Sequence, residues 1–73
     1  MMKSITIETE YIKLQDLLKL ASLVSTGGEA KLMIAEGRAE VNGEVCTQRG
    51  KKIRPGDVVR YQNQEITVAY ADQ

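Results

Sequence analysis

The most informative stretch of the sequence is residues 37–47, Gly37-Arg38-Ala39-Glu40-Val41-Asn42-Gly43-Glu44-Val45-Cys46-Thr47. Asn42-Gly43 lies between two short runs that contain β-branched residues. Because Asn and Gly both accept the positive φ angles of a two-residue turn, this stretch predicts a tight β-hairpin. Pro55-Gly56-Asp57 predicts a second turn, and Val58-Val59-Arg60-Tyr61 predicts the strand that leaves it. Everything after Gly37 is therefore predicted to be β structure, ending with a weaker turn at residues 63–64 and a strand at 66–70.

Two short helices are predicted before this β region. The first is expected from about residue 12 to near Leu23, because its apolar residues recur at helical spacing. That stripe contains Leu14, Leu17, Leu18 and Ala21, widened by Leu20, Leu23 and Val24. Thr26, three residues before Glu29, matches a capping box at the start of a second helix. Gly37 suits the left-handed residue that ends it.

A short N-terminal strand is predicted in residues 3–9, because Ile5 and Ile7 alternate there with polar residues. The chain has 73 residues, which is enough for one small domain that spans residues 1–73. The order strand, two helices, then about four strands predicts an α+β fold. We expect a two-helix hairpin packed on a small curled antiparallel β-sheet.

Composition excludes several classes of chemistry. The chain has no His and one Cys, so histidine-based zinc sites, Cys-His nucleophile pairs and an internal disulfide are excluded. No glycine-rich phosphate-binding motif is present. We therefore expect no enzyme activity, no catalytic residue, no metal site and no cofactor. No apolar run approaches the roughly 18 residues of a membrane span, and the N-terminus lacks a secretory signal, so a soluble cytoplasmic protein without a membrane partner is expected.

Charge is distributed unevenly, although the formal net charge is zero. Residues 46–60 contain five cations against Asp57 alone, which gives this segment a net charge of plus four. The run Arg49-Gly50-Lys51-Lys52-Ile53-Arg54 predicts a surface that attracts anions such as nucleic-acid phosphates. An ordinary solvated loop that protects an edge strand from aggregation would show the same run. Charge by itself does not choose between these two interpretations.

Two motifs in order resemble the S4 RNA-binding domain, and most closely its short stand-alone bacterial members. Residues 37–43 match G-x-x-x-V-N-G, and residues 55–58 match P-G-D-V. With the two preceding helices, the resemblance covers roughly residues 11–60. It implies the αL motif, which is a helical hairpin packed on a small sheet. RNA is expected to lie across the helices and the loop that contains the basic run of residues 49–54 (the basic loop). It also implies structured ribosomal or transfer RNA as the partner, with the ribosome and a role in its assembly or in translation as further expectations, while DNA is not excluded.

The resemblance implies phosphate contacts by cations of both helices and of the loop, namely Lys13, Lys31, Arg49, Lys51, Lys52 and Arg54. Arg38 joins this set because it lies seven residues after Lys31 and shares its helix face if the helix extends that far; a solvated face balanced by nearby glutamates is the alternative. Two positions depart from the family pattern. Residues 13–15 read Lys-Leu-Gln where many members have Arg-Leu-Asp, and residues 26–27 read Thr-Gly where many have Ser-Arg. Because Lys cannot replace a bidentate Arg fork, weaker RNA binding is expected.

A protein-interaction adapter on the same fold is the alternative function. It requires an exposed apolar patch or a free sheet edge, and the strand at residues 66–70 is the candidate for strand addition. Gly27-Gly28 either lets the two helices approach closely or exposes helix amides to a phosphate. The three tyrosines are scattered and predict no stacking platform for single-stranded bases, which favours structured RNA.

Overall fold

The computed structural model describes residues 2–71, which form two helices and seven strands in an α+β arrangement. The predicted fold class is confirmed. In chain order the elements are β1 (Met2–Ile7), β2 (Ile12–Lys13), α1 (Leu14–Leu20), α2 (Gly27–Ala35), β3 (Ala39–Val41), β4 (Glu44–Val45), β5 (Lys52–Ile53), β6 (Val58–Tyr61) and β7 (Gln64–Tyr70).

Five strands form one sheet in the order β1-β7-β6-β3-β4. Four of them pair antiparallel, but β1 runs parallel to β7, with Ile5 opposite Val68, so the sheet is mixed. A parallel pair requires a long connection, and here both helices and all the other strands lie between its two members. The strand β7 is an interior strand that pairs with β1 over residues 65–70 and with β6 over residues 64–67, so it is not an edge strand and the strand addition predicted for an adapter is wrong for it.

The turns of the structure lie at or within one residue of the positions that the sequence predicts. The predicted hairpin is present, with Asn42 at φ 51° and Gly43 at φ 87°. The Pro-Gly-Asp turn is present as well, and Gly56 has φ 96°. The last hairpin turn falls one residue earlier than expected, because Gln62 and Asn63 carry the positive φ angles and β7 begins at Gln64.

Both helices end where a residue takes a left-handed conformation. The helix α1 stops at Leu20 and not near Leu23, because Ser22 has φ 62° and the Leu23 N–H donates to the Leu18 carbonyl. The corresponding residue after α2 is Gly37, at φ 78°. Both ends have the hydrogen bonds of a Schellman motif. Arg38 therefore lies beyond α2, and the condition that Lys31 and Arg38 share one helix face is not met.

The capping box before α2 is confirmed. The Thr26 hydroxyl accepts from the Glu29 N–H at 3.0 Å, and the Glu29 carboxylate accepts from the Ser25 N–H at 2.8 Å. Two backbone donors at the helix start are thus satisfied by side chains, which stabilises a helix whose first two residues are glycine.

The helices pack one face against the five-stranded sheet. The predicted stripe of α1 is buried, whereas Leu20 is 56% exposed, contrary to expectation. Leu20 lies outside the arc of roughly 100° that the other stripe residues occupy, so it points away from the core. Met33 and Cys46 are partly buried against the core, as expected of small or flexible apolar side chains. Neither helix in the described chain is long and apolar enough to span a membrane.

Candidate nucleic-acid interface

A second, two-stranded sheet lies apart from the main one and consists of β2 and β5. Ile12 pairs with Ile53, and Lys13 pairs with Lys52. Because side chains alternate along a strand, the two isoleucines share one face and the two lysines share the other. Ile53 is fully buried and both lysines are exposed, so this ladder joins the core on its inner side and presents cations outward. Strands of two residues are too short to show a sequence period, which is why this sheet was not predicted.

Tyr11 precedes β2 and packs beside Lys52 of β5 and Arg54, which follows β5. Its ring centroid lies 5.0 Å from the Lys52 Nζ and 6.0 Å from the Arg54 Cζ, which are cation–π distances. Tyr11 and Lys13 are two residues apart, as are Lys52 and Arg54, so all four belong to the outward face. We call the surface formed by Tyr11, Lys13, Lys52 and Arg54 the basic ladder face.

The basic loop folds back onto the start of α1. The Leu14 N–H donates to the Lys51 carbonyl at 2.9 Å, and the Gln15 N–H donates to the Arg49 carbonyl at 3.0 Å. The first amides of a helix lack partners within the helix, and here the loop backbone supplies them. The α1 N-cap residue, Lys13, makes no side-chain cap of its own. Loop and helix start are therefore one unit, and the backbone positions of Arg49 and Lys51 are fixed next to Lys13.

Five of the seven cations predicted from the sequence meet in this region, namely Lys13, Arg49, Lys51, Lys52 and Arg54. The other two lie elsewhere. Lys31 is exposed on α2, and Arg38 follows α2 with its Nε 3.0 Å from the Glu36 carboxylate. The solvated alternative for Arg38 therefore agrees with its exposed ion pair. Tyr11 is the residue that sequence reasoning missed, and its position two residues before Lys13 was the available signal.

Asp57 connects the hairpin turn to the basic loop. Its carboxylate accepts from the Asn42 amide at 3.1 Å and from the Arg54 N–H at 2.8 Å, while the Asn42 side-chain oxygen accepts from the Val58 N–H. Partial burial by itself would raise the pKa of Asp57. The two hydrogen bonds and the charges of Lys51 and Arg54 outweigh burial and hold this pKa below its ordinary value. The structural role expected for Asn42 and Asp57 is confirmed.

The cations of this region have no carboxylate partner within residues 2–71. The ion pairs of that part of the chain join Lys19 to Asp16, Arg38 to Glu36 and Arg60 to Glu65. Asp57, three residues after Arg54, has one oxygen bound to the Asn42 amide and the other to a backbone N–H. The positive charge of Lys13, Arg49, Lys51 and Lys52 is consequently left to solvent or to a bound anion.

An open groove runs between the Asn-Gly hairpin and the basic loop. Its lining includes three cations, namely Lys51, Lys52 and Arg54, together with Glu44, Val45 and Cys46. Most of its lining is polar and exposed, so it is a surface channel rather than an enclosed ligand pocket. No group of three or more His, Cys, Asp or Glu residues within the described chain is placed to hold a metal ion.

Close helix approach at Gly27-Gly28 is not seen. A Cβ added to Gly27 would meet the Lys19 Nζ at 4.0 Å, and one added to Gly28 would meet only the Thr26 hydroxyl at 3.9 Å. Both glycines are exposed, and neither packs against the other helix's backbone. Close approach of the two helices is therefore the wrong explanation of this glycine pair.

The family model described as the S4 domain matches residues 5–69, which include both helices, the ladder and the basic loop. The chain belongs to the S4 domain family. The αL motif, the S4 domain assignment and the likeness to small bacterial members predicted from the sequence are confirmed.

Relatives of similar length support this assignment. The chain is 44% identical over 59 residues to "Probable ribosome maturation protein RlbA" of Bacillus subtilis, covering 81% of this chain and 83% of that protein. It is 38% identical over 58 residues to YbcJ of Escherichia coli, covering 80% and 83%. The solution structure of YbcJ, described as revealing an αL motif involved in RNA-binding, superposes with a TM-score of 0.72 at 33% identity over 94% of this chain and 89% of YbcJ.

The fold also resembles that of a larger ribosomal protein. The 30S ribosomal protein S4e of Thermoplasma acidophilum gives a TM-score of 0.67 at 23% identity, over 90% of this chain and 35% of that protein. At this identity the likeness shows a shared fold.

Proposed function

We propose that this S4 domain is a non-catalytic cytoplasmic module that binds structured RNA through the basic ladder face and the adjoining loop. The observation that carries the proposal is the convergence of Lys13, Arg49, Lys51, Lys52 and Arg54 around the start of α1. The name of the Bacillus subtilis relative and the description of the YbcJ structure supply the RNA context. DNA remains a competitor to be tested, because phosphates alone do not distinguish the two nucleic acids.

Electrostatics favours an interface over a solvated loop. Within residues 2–71, carboxylates pair with Lys19, Arg38 and Arg60, whereas the ladder and loop bring five cations together without a carboxylate ion pair. The carboxylate of Asp57 is used to hold the turn next to them. A surface that keeps several cations together without neutralising them is suited to binding a polyanion.

Shape also favours structured RNA over single strands. The described chain offers Tyr11 as the single aromatic side chain of the basic ladder face, and that ring already packs with two cations. Single-strand binders stack successive bases on several aromatic rings. Recognition through phosphates and helix shape needs no such platform. We propose ribosomal or transfer RNA as the target class and a role in ribosome assembly or translation, and Lys31 on α2 as an additional phosphate contact.

The proposal is tested by fluorescence anisotropy with labelled ribosomal RNA fragments and transfer RNA. Binding is measured at several salt concentrations and with duplex DNA as competitor. The variant Lys51→Glu/Lys52→Glu/Arg54→Glu should lose about a hundredfold in affinity at 0.1 M salt. Its slope of log affinity against log salt should be smaller by about 2 to 3, since three phosphate contacts are lost.

A matched control changes the net charge equally at another place. Lys3→Glu/Lys19→Glu/Arg60→Glu should retain most of the affinity, because these cations lie outside the ladder and loop. Equal losses in both variants would mean that net charge, and not this surface, governs binding. If Lys51→Glu/Lys52→Glu/Arg54→Glu is folded and binds RNA like the wild-type protein, the proposed interface is wrong. Co-sedimentation with ribosomal subunits in a gradient tests the assembly role.

A further inference from the structure

We propose that Tyr11 is a positioning residue for RNA phosphates. Its ring orders the Lys52 and Arg54 side chains on the basic ladder face, beside Lys13, so that a phosphate of the RNA backbone binds between the two strands. This inference rests on the proposed RNA-binding function and adds to it a residue that carries no charge. Its observational basis is the pair of ring contacts at 5.0 Å and 6.0 Å.

The register of the ladder places two positively charged side chains opposite each other, and Tyr11 restrains one of them. Lys13 and Lys52 are directly opposed, and like charges in opposed positions repel each other. Both side chains are long and exposed, so without a further contact they would swing apart into solvent. The negative face of an aromatic ring attracts a cation and restrains it without neutralising its charge. The Tyr11 ring therefore restrains Lys52 on the basic ladder face.

Restraint by a ring leaves the donors of the cations available. An ammonium group has three N–H donors and a guanidinium has five, and a ring contact uses few of them. A carboxylate partner would have occupied those donors and cancelled the charge. Long side chains that are ordered before binding lose less conformational freedom when they contact a phosphate. The arrangement thus increases affinity without increasing the number of phosphate contacts.

Direct stacking of a base on Tyr11 is the competing role for the same ring. The ring is half-buried and has two cations in contact with it, which leaves less of its face for a base. The two roles differ in what happens when the cations are removed. A stacking ring would still contribute, whereas a positioning ring would have nothing left to order.

A double-mutant cycle measured by RNA anisotropy separates them. We expect Tyr11→Leu to weaken RNA binding about 3- to 10-fold with an unchanged salt slope, because the cations that contact phosphate remain. In a Lys52→Ala/Arg54→Ala background the same substitution should change affinity less than about twofold. Tyr11→Phe keeps the ring and should bind like the wild-type protein. Tyr70→Leu, at an exposed tyrosine on β7, is the matched control and should have no effect.

A second measurement on the unsubstituted protein covers the case in which Tyr11→Leu does not fold. In an NMR spectrum, ring-current effects should shift the side-chain methylene protons of Lys52 upfield relative to those of Lys51. Lys52 protons at the same positions as those of Lys51 would overturn the proposal.

The remaining outcomes each decide a separate claim. A full loss from Tyr11→Leu in the background without Lys52 and Arg54 would assign the ring to base stacking and overturn its positioning role. Wild-type affinity in folded Tyr11→Leu would also overturn that role but leave the proposed function intact. Absence of RNA binding by the wild-type protein would overturn the proposed function, and this inference with it.

Discussion

The two sheets of this domain differ in which charged residues lie opposite each other on neighbouring strands. In the five-stranded sheet, Arg60 lies between Glu40 on one neighbouring strand and Glu65 on the other, and its guanidinium is 3.8 Å from the Glu65 carboxylate. In the ladder of β2 and β5, Lys13 lies opposite Lys52 with no carboxylate partner within residues 2–71. Opposed unlike charges stabilise a strand pair and like charges destabilise it. The charges of the main sheet are therefore arranged in a stabilising way. The ladder has opposed positive charges that can bind an anion.

The largest effect should come from the apolar residues that tie each sheet to the core. Ile53 of the ladder and Ile66 of the main sheet are both fully buried. We expect Ile53→Ala and Ile66→Ala each to reduce the free energy of unfolding by about 2 to 5 kcal/mol, because each leaves a cavity. Urea unfolding followed by circular dichroism measures both. A loss below about 1 kcal/mol for Ile53→Ala alone would mean that the ladder is not part of the core.

Asp57 joins the two regions, so its loss should be the next largest effect. Asp57→Ala removes the hydrogen bonds to Asn42 and to the Arg54 N–H, and should cost about 1 to 3 kcal/mol at pH 7. The pKa of Asp57 is lowered in the folded protein. Its contribution is therefore complete above the unfolded-state pKa and is lost as the pH falls through the lower folded-state pKa.

Denaturation curves between pH 7 and pH 2 check this coupling. Wild-type protein and Asp57→Ala should converge in stability at the acid end. A difference that stays constant over the whole range would show that the carboxylate charge of Asp57 is not involved.

A stabilising change away from the ladder shows whether stability and binding are independent. Ser22 ends α1 at φ 62°, where the end of α2 has Gly37. Ser22→Gly should raise the free energy of unfolding by about 1 kcal/mol, because glycine adopts this conformation without steric cost. RNA affinity should not change. A fall in stability would indicate that the Ser22 side chain contributes more than its strained backbone costs.

The smallest stability change should come from the ladder charges. Lys13→Glu converts the opposed Lys13–Lys52 pair into unlike charges, keeps the contact of Lys52 with the Tyr11 ring, and should stabilise the fold by about 0.2 to 1 kcal/mol. The same substitution should weaken RNA binding, which Ser22→Gly does not. Thermal unfolding and anisotropy on one preparation test both effects. If Lys13→Glu lowers stability, the repulsion inferred for the ladder is wrong.

Much of the fold was predictable because its signals are local. The Asn-Gly turn, the Thr26 capping box and the apolar stripe of α1 each depend on a few neighbouring residues, and all three are confirmed. The early end of α1 was missed because Ser22 takes a conformation usually left to glycine. The exposure of Leu20 follows from its place on the helix and from what packs against α1.

For the candidate site, the sequence identified the cations but not their arrangement. Residues 49–54 were recognised by charge and by resemblance, whereas Tyr11 was set aside as a scattered aromatic. Lys13 and Lys52 are far apart in the chain, and the two strands that pair them are two residues long. No local pattern encodes such a pairing. The phosphate-binding roles of the seven cations remain predictions.

The α+β class, the order of most elements, the turns and the family could be predicted from the sequence, because propensity, periodicity and turn chemistry act between near neighbours. Three features became visible only in the folded chain: β1 lies parallel to β7, β7 is an interior strand, and the basic loop caps α1 through its carbonyls. These features depend on which distant segments share a core. The burial of Ile53 beneath the ladder is the physical reason that Lys13, Lys52 and Tyr11 meet on one face.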